Sequence, residues 1–343
     1  MDFSLFYFAD YADDSHSDRY RLLLDGAQFA DDNGFAAVWT PERHFHHFGG
    51  IYPNPSVTGA AVAATTRRVQ IRAGSVVLPL QHPLRVAEEW SVVDNLSNGR
   101  AGISFAPGWG ATDFALRPDR YADRKSIMKE EIDQVRRLWR GESLSVADGL
   151  GKTTEVRTFP RPVQPELPVW ISSSGDIETF RLAGRLKTGV LTHLLTQQPE
   201  QLEEKIAAYR EAAREESGWA GHVVLMLHTF VGEDDDVVRG IVKPPLERYL
   251  RSSLELVFGP RDGGVAAAQQ LRPGDVEFMV ERSFDRYFER DGLLGGTAKV
   301  RAAVERFRAL GVDELACLID FGVPREQVLN ALKHLNELRL ACG

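Results

Sequence analysis

Short apolar runs rich in β-branched and aromatic residues alternate along the whole chain with amphipathic stretches of helical period. This alternation is typical of a parallel sheet whose strands are joined by helical crossovers. An open doubly wound sheet usually has fewer strands and a glycine-rich fingerprint after the first one, which this chain lacks. The pattern therefore favours a closed (β/α)8 TIM barrel. Eight strands are expected, at residues 2–8, 35–39, 69–77, 101–106, 168–172, 189–193, 222–231 and 314–319.

Two segments interrupt this rhythm. Residues 141–165 are polar and punctuated by Gly and Pro, which indicates an insertion in the form of a two-stranded flap. Residues 233–296 contain helical pieces such as 245–258, separated by Gly259-Pro260 and Arg272-Pro273-Gly274, and no expected strand. We therefore expect a single domain over residues 1–343, with insertions after the fourth and seventh strands. The second insertion is expected to form a helical lid over the barrel.

Composition excludes several classes of protein. With 43% hydrophobic and 26% charged residues the chain is ordinary globular protein, and its net charge of −8 is not organised into a basic stripe. Nucleic acid is therefore not an expected partner. The sequence has neither a long apolar run nor the features of a secretory signal, so we expect no membrane partner and a cytoplasmic location. Cys317 and Cys342 are too few for a disulfide framework and have no zinc-site spacing.

Polar side chains collect where the expected strands end. In barrels of this type the working residues lie at the carboxyl ends of the strands. Asp320 directly follows the expected eighth strand. Capping of backbone groups would explain only one or two histidines at such positions. The sequence thus predicts a titratable site at this end of the barrel. Six of the nine histidines lie there: His44, His46, His47, His82, His193 and His228.

A run of three serines precedes the helix expected to begin near residue 176. Ser172, Ser173 and Ser174, followed by Gly175, offer hydroxyls and free backbone N–H groups, which suit a phosphate. Simple N-capping of the helix explains the same serines equally well. The residues alone leave both interpretations open.

Four collinear segments carry a family likeness. They are WTPERHF at 39–45, YPNP at 52–55, VVLPLQHPLR at 76–85 and DNLSNGR at 94–100. Together they resemble the α subunit of bacterial luciferase. Within that superfamily, the RHF motif at 43–45, APGW at 106–109 and LMLHTF at 225–230 are most similar to luciferase-like monooxygenases of the mupirocin-pathway type, which belong to polyketide and nonribosomal peptide biosynthesis.

The resemblance implies a monooxygenase that uses reduced FMN (FMNH2) and O2, and inserts one oxygen through a flavin C4a-hydroperoxide in a dry pocket. The substrate is then a small molecule or one bound to a carrier protein. A separate NAD(P)H:flavin reductase supplies the FMNH2, and helices at 55–66 and 83–96 pair two chains into a homodimer. The implied cofactor-binding residues are Gly74 and Ser75, joined by a cis peptide bond in such barrels, with Ala106, Trp109, Ser172, Ser173, Ser174 and Gly175.

Three positions depart from luciferase. Arg43 stands where luciferase has its catalytic histidine, Ala106 where it has a reactive cysteine, and Pro107 where it has a phosphate-binding arginine. The resemblance therefore implies oxygenation without light emission. We expect His44 to exchange a proton with the oxygenating species and Arg43 to anchor an anionic group, with His193 and His228 as further catalytic candidates. The sequence does not identify the group that replaces the arginine.

Two other functions fit parts of the pattern. A binuclear metal hydrolase would use the His-x-His of His44 and His46, completed by His193, His228 and Asp320. Against it, this motif follows the second strand instead of the first, and the fourth strand ends in Ala106-Pro107 without a Lys or Glu to bridge two metals. The third hypothesis keeps the barrel but uses the deazaflavin F420 for hydride transfer, because one fold is reused for many reactions.

Overall fold

The computed structural model describes residues 1–8, 18–195, 197–258 and 273–342. Eleven strands lie in these ranges. In chain order they are β1 Asp2–Tyr7, β2 Ala37–Thr40, β3 Gln70–Val77, β4 Ala101–Ala106, β5 Leu144–Ala147, β6 Thr153–Val156, β7 Val169–Ser173, β8 Gly189–His193, β9 Val223–Gly232, β10 Leu293–Gly296 and β11 Glu314–Asp320.

Eight of these strands form the closed parallel barrel that the alternation of the sequence predicts. The order around it is β1-β2-β3-β4-β7-β8-β9-β11, and β11 pairs with β1 to close it. The expected TIM barrel is thus confirmed. β5 and β6 pair antiparallel as a separate two-stranded sheet within the segment 141–165.

Ten α-helices lie in the described residues and pack around the barrel. Several of them begin or end on local signals that the sequence carries. For example, the Asn54 side chain accepts a hydrogen bond from Ser56 N at the start of one helix, and Gly34, at φ +75°, ends another. The helices are α1 Arg21–Asn33, α2 Pro55–Thr65, α3 Pro83–Ser97, α4 Arg124–Arg140, α5 Ile177–Arg185, α6 Pro199–Ser217, α7 Asp235–Phe258, α8 Pro273–Arg286, α9 Thr297–Ala309 and α10 Arg325–Cys342.

The second insertion differs from the expectation in two ways. It contains a strand, β10, which pairs in parallel with Thr229–Gly232 at the end of β9. Its sequence LLGG has no strand pattern, so only the neighbouring strand specifies it. Helix α7 begins at Asp235, ten residues before the expected start, and contains Pro244 and Pro245. The expected breaks at Gly259-Pro260 and Arg272 lie outside the described residues.

Burial explains why α7 continues through its prolines. A proline inside a helix removes one backbone hydrogen bond and costs about 3 kcal/mol. Val238, Val242 and Leu246 are fully buried on one face of α7, on both sides of the prolines. Burying each such side chain contributes about 1.5–3 kcal/mol, so packing outweighs the local cost.

The amino ends of the barrel strands form what we call the barrel floor: Ser4, Trp39, Arg72, Trp170, His222 and Glu314. Glu314 Oε1 accepts hydrogen bonds from Ser4 Oγ (2.5 Å) and Trp39 Nε1 (3.0 Å), and Oε2 accepts from Arg72 Nη1 (2.7 Å). Burial raises the pKa of the Glu314 carboxyl, but Arg72, His222 and Ser4 together bring this pKa below its usual value. The floor therefore contains an ionised Glu314 carboxylate whose charge and hydrogen bonds are satisfied by neighbouring floor residues.

Candidate active site at the barrel mouth

The carboxyl ends of the barrel strands and the loops that follow them form the barrel mouth. After β2, the carboxylate of Glu42 is buried and accepts three hydrogen bonds, from Val77 N (2.8 Å), Gln81 Nε2 (2.6 Å) and His44 Nε2 (2.9 Å). Burial raises the pKa of Glu42, while these three donors lower it. Because Glu42 acts as an acceptor for all three, we place the His44 proton on Nε2. The imidazole is then oriented with Nδ1 unprotonated.

Arg43 links the loops after β2 and β4. Its Nη1 lies 3.2 Å from Asp113 Oδ2, and its guanidinium stacks 4.7 Å above the ring of Trp109. Burial lowers the pKa of Arg43 and raises that of Asp113. We expected Arg43 to anchor an anionic group. Its guanidinium is, however, already paired with a carboxylate of the protein, that of Asp113. Of the guanidinium nitrogens, Nε is buried and has no hydrogen-bond partner in the described structure.

Inside the mouth, three serine hydroxyls on adjacent strands bind one another. Ser172 Oγ lies 3.0 Å from Ser75 Oγ and 2.8 Å from Ser104 Oγ. The peptide bond between Gly74 and Ser75 is cis, as the family resemblance implied. Ser104 was not among the residues selected from the sequence. Its signal was the strand alternation, because it lies two residues before Ala106 and so shares its face.

The other residues predicted to bind the cofactor differ in their burial and in their hydrogen bonds. Ser173 is buried and its hydroxyl accepts from Gly175 N at 3.3 Å, whereas Ser174 is exposed beside it. The N-cap of α5 is Asp176, whose side chain accepts from Glu178 N, so the serines do not cap that helix. Ala106 is half-buried at the end of β4, and Trp109, in the loop that follows, is 42% exposed.

A lysine that the sequence analysis missed lies against the turn at Ser173–Gly175. Lys205 on α6 donates from Nζ to Gln197 Oε1 (2.8 Å), and Gln197 Nε2 donates to Thr192 Oγ1 (2.9 Å) and to His193 O (2.7 Å). Gly175 has φ +118°, and a Cβ atom there would lie 3.1 Å from both Lys205 Nζ and Gln197 Oε1. Partial burial lowers the pKa of the Lys205 ammonium. This cation is held at the turn by the amide oxygen of Gln197 instead of by a carboxylate.

The remaining strand ends carry three polar residues that we call the neutral triad, because their shifted pKa values leave all three uncharged at pH 6: His193, His228 and Asp320. Burial lowers the pKa of His193 to about 4. Burial, with a smaller contribution from His193, lowers the pKa of His228 to about 3. Burial raises the pKa of Asp320 to about 7, and its one assigned hydrogen bond comes from Tyr52 OH at 3.1 Å. The triad lies on three consecutive barrel strands, β8, β9 and β11.

His228 is the least satisfied member of this triad. It is 2% exposed, and its Nε2 has no hydrogen-bond partner among the described atoms. Aromatic rings surround it, with Tyr249 and Tyr287 at 5.0 Å and Phe321 at 5.8 Å between centroids. Tyr249 belongs to α7 and Tyr287 follows α8, so this histidine lies where the second insertion packs on the barrel.

The other strand-end histidines organise their own loops. His46 Nδ1 accepts from Phe48 N at 3.1 Å, and its ring stacks on that of His47 at 4.4 Å. His82 is the N-cap of α3 and accepts from Leu84 N. Within the ranges that the structure describes, no group of three His, Cys, Asp or Glu residues is arranged to hold a metal ion. In the same ranges, no helix has the length and apolar character needed to cross a bilayer.

Comparisons with known proteins identify relatives of the whole chain. A family model described as luciferase-like monooxygenase matches residues 1–314. The oxygenase component of the flavin-dependent trigonelline monooxygenase of Acinetobacter baylyi is 25% identical over 345 residues, which cover 98% of this chain and 93% of that protein. The F420-dependent glucose-6-phosphate dehydrogenase of Nakamurella multipartita is 25% identical over 325 residues, covering 91% and 93%. A monooxygenase from Streptomyces bottropensis has a TM-score of 0.83 at 26% identity, with 99% of each chain covered.

Proposed function

The chain belongs to the luciferase-like monooxygenase family, and we propose that it is an FMNH2- and O2-dependent monooxygenase whose flavin lies across the barrel mouth. The observation that carries the proposal is the turn at Ser173–Gly175, where Gly175 has φ +118° and a Cβ atom would lie 3.1 Å from the Lys205 ammonium, itself held by Gln197. A phosphate needs such a turn together with a cation. The flavin-dependent relative in Acinetobacter baylyi, which matches almost the whole chain, supports the same cofactor class.

The residues at this side of the mouth fit FMN. Ser173, Ser174 and Gly175 would hold its phosphate, with Lys205 in place of the arginine that Pro107 replaces. The isoalloxazine ring would lie against Gly74-Ser75, Ser172, Ala106 and Trp109, above the serine cluster formed by Ser75, Ser104 and Ser172. Because the sequence has no dinucleotide fingerprint, a mononucleotide suits the site better than FAD.

When bound, reduced FMN supplies two electrons for O2 activation, so that one oxygen atom enters the substrate and the other leaves as water. His44 is the proposed catalytic residue. Its Nε2–H donates to Glu42. Nδ1 is then available to accept a proton and later to donate that proton back. Arg43, paired with Asp113, closes the mouth beside it. His193 and His228 are proposed to face the substrate from the opposite strands.

We propose that the described parts of the second insertion, α7 and α8, form the lid that keeps this site dry. Tyr249 and Tyr287 bring these elements against His228 at the end of β9. Exclusion of water prevents the wasteful release of H2O2. Amide hydrogen exchange tests the role: protection in 235–258 and 273–291 is expected to rise when flavin and substrate bind, and unchanged exchange there refutes a lid.

Partner proposals follow from the same comparison. Without a dinucleotide fingerprint, turnover is expected to need a separate NAD(P)H:flavin reductase, and NADH oxidation by the pure protein contradicts this. A homodimer is proposed across α2 and α3, where Val57, Val92 and Leu96 are exposed. Sedimentation equilibrium is expected to show a dimer that Val57→Glu weakens. A wild-type protein that is monomeric at micromolar concentration rules the dimer out.

The substrate is proposed to come from polyketide or nonribosomal peptide biosynthesis, on the likeness of residues 43–45, 106–109 and 225–230 to the mupirocin-pathway type. It is either free or tethered to a carrier protein. Turnover of matched free and carrier-bound acyl substrates under 18O2, followed by mass spectrometry, separates the two forms. Absence of label in every such product would remove the natural-product assignment.

F420-dependent hydride transfer is the second candidate, because an F420-dependent dehydrogenase matches the chain over a similar length. Anaerobic calorimetric titration with FMNH2, reduced FAD and reduced F420 separates the candidates. We expect FMNH2 to bind at least about tenfold more tightly than the other two, a difference of about 1.4 kcal/mol. Tighter binding of F420 favours the dehydrogenase, and equal binding of FAD contradicts the single-phosphate site.

A further inference from the structure

The two halves of the barrel mouth differ in what they offer a ligand. On consecutive strands β2, β3, β4 and β7 lie Glu42, the serine cluster and the turn at Gly175, which the proposed function assigns to the flavin. On β8, β9 and β11 lie His193, His228 and Asp320, the neutral triad. The proposed flavin contacts leave this second half free for the substrate.

His228 indicates what the substrate must provide. Its Nε2 is buried and has no hydrogen-bond partner in the described structure, and the imidazole packs against three aromatic rings. An unsatisfied buried nitrogen destabilises a folded protein, and replacing it with an apolar group of similar shape removes the cost. A ligand that binds Nε2 also removes it. The surrounding rings of Tyr249, Tyr287 and Phe321 suit an apolar body attached to that hydrogen-bonding group.

The charged groups on this side are already paired, and at pH 6 the neutral triad offers no counter-charge to an ionic substrate. Nδ1 of His193 accepts from Leu195 N at 3.2 Å, so this imidazole carries its proton on Nε2 and is neutral. Arg286, which reaches this side from α8, donates to Leu194 O and forms an ion pair with Asp291 at 3.0 Å. Burying an unpaired charge next to such groups is costly.

We propose that the β8–β9–β11 half of the mouth binds an uncharged substrate, with an apolar, ring-sized body against Tyr249, Tyr287 and Phe321 and a hydroxyl or carbonyl bound to His228 Nε2. The assignment of this half to substrate rests on the proposed function, because the flavin is assigned to the other half. The preference for an uncharged substrate distinguishes this chain from an enzyme that acts on zwitterionic or anionic compounds.

Four probes of one size test the charge preference: 4-fluorobenzyl alcohol, 4-fluorobenzoate, 4-fluorobenzylamine and 4-fluorotoluene. Their affinities for the full chain, saturated with FMN at pH 6, are measured by 19F NMR. We expect the alcohol to bind at least about tenfold more tightly than either ion and several-fold more tightly than 4-fluorotoluene. Equal or tighter binding of either ion overturns the proposal.

His228→Phe tests the contact itself. We expect this variant to bind the alcohol no better than 4-fluorotoluene and to have a higher unfolding temperature than the wild type, because the unsatisfied nitrogen is gone. His228→Gln, which keeps a hydrogen-bonding side chain, is expected to retain part of the preference for the alcohol. His334→Phe, a surface change on α10, is the control and leaves both properties unchanged. An alcohol preference that survives in His228→Phe overturns the proposal.

Anaerobic FMNH2 titration of the same proteins, without added FMN, separates the two proposals. His228→Phe is expected to bind FMNH2 within a few-fold of the wild type, since the phosphate and ring contacts come from other strands. If the wild type binds the alcohol selectively but does not bind FMNH2, the proposed function fails and the substrate class stands. If FMNH2 binds and an ion is preferred, the substrate class alone fails.

Discussion

Glu314 at the barrel floor and Asp320 at the mouth belong to the same strand, β11, yet their pKa values are shifted in opposite directions. Both carboxyls are buried. Glu314 has donors on both oxygens, including the Arg72 guanidinium, which itself lies between Trp39 and Trp170 at 5.0 and 4.4 Å. Asp320 has one assigned hydrogen bond, from the Tyr52 hydroxyl. The Glu314 carboxylate at the floor thus has donors on both oxygens, whereas the Asp320 carboxyl at the mouth has one.

This difference indicates which of the buried polar groups in the barrel are candidates for ligand binding. At the floor even His222 is used, since its Nδ1 accepts from Trp170 Nε1 at 2.9 Å. At the mouth His228 Nε2 and Arg43 Nε have no partner in the part of the chain that the structure describes. Groups that complete one another stabilise the fold, and groups left incomplete mark the surface that a ligand completes.

The largest effect is expected from breaking the floor. Glu314→Ala leaves Arg72 buried without its carboxylate and removes the acceptor of Ser4 and Trp39. We expect a loss of about 3–5 kcal/mol in the free energy of unfolding, measured by urea denaturation at pH 7. Asp320→Asn at the mouth is the contrasting change: it removes a buried carboxyl whose ionisation is unfavourable and is expected to raise the free energy of unfolding at pH 7. Equal losses would show that the two regions do not differ.

The pH dependence of stability sharpens the comparison. The native pKa of Asp320, about 7, lies above its usual value of 3.8, so the native state holds more protons between these pH values and stability falls as pH rises through them. At about 1.4 kcal/mol per pKa unit the loss is at most about 4 kcal/mol. Glu314 has the opposite sign: its lowered pKa stabilises the fold above its usual value of 4.5, and this is lost as pH falls.

Urea denaturation from pH 3.5 to 8 checks these signs. The stability of Asp320→Asn relative to the wild type is expected to rise between pH 4 and 7 and then level off. The advantage of the wild type over Glu314→Gln is expected to shrink only below about pH 4.5. Parallel curves for the two variants would contradict the opposite shifts.

Lys205→Met tests whether the Lys205 ammonium at the mouth binds the phosphate of FMNH2. A charge-assisted hydrogen bond contributes about 1.5–3 kcal/mol, so the affinity for FMNH2 is expected to fall about 10- to 100-fold. The affinity for reduced riboflavin, which lacks the phosphate, is expected to stay the same. Lys129→Met, an exposed change on α4, is the control. A fall in both affinities would mean that Lys205 supports the site only structurally.

His44→Ala is expected to have the smallest energetic effect and a specific signature. Flavin affinity is expected to stay within a few-fold, because the proposed phosphate and ring contacts come from other strands. The H2O2 released per flavin oxidised is expected to rise roughly fivefold, about 1 kcal/mol in partitioning, since the proton held between His44 and Glu42 is lost. Normal coupling with weakened flavin binding would make His44 a cofactor ligand instead.

The barrel was predictable because strand and helix periods are local properties of the sequence. The eight barrel strands and the cis peptide at Gly74-Ser75 followed from local pattern and family resemblance. β10 did not, because LLGG is a strand only beside Thr229–Gly232. The start of α7 at Asp235 was missed because proline normally marks a first helical turn, and here burial overrides it.

The partners within the site were harder to predict than its position. The carboxyl ends of the strands indicated where the polar residues meet, and His44, His193 and His228 lie there. Lys205 was missed because it lies within α6, and only the fold brings its ammonium against Gly175 and Gln197. The Arg72–Glu314 pair spans 242 residues of sequence and has no local signal at all.

A crystal structure obtained after soaking with FMNH2 under anaerobic conditions tests the central claim most directly. The account predicts the phosphate within hydrogen-bonding distance of Lys205 Nζ and the turn at Ser173–Gly175, and the flavin ring against Gly74-Ser75 with His44 beside it. The neutral triad is predicted to stay uncovered by the flavin. A phosphate bound elsewhere, or a flavin ring packed on His228, would contradict the account.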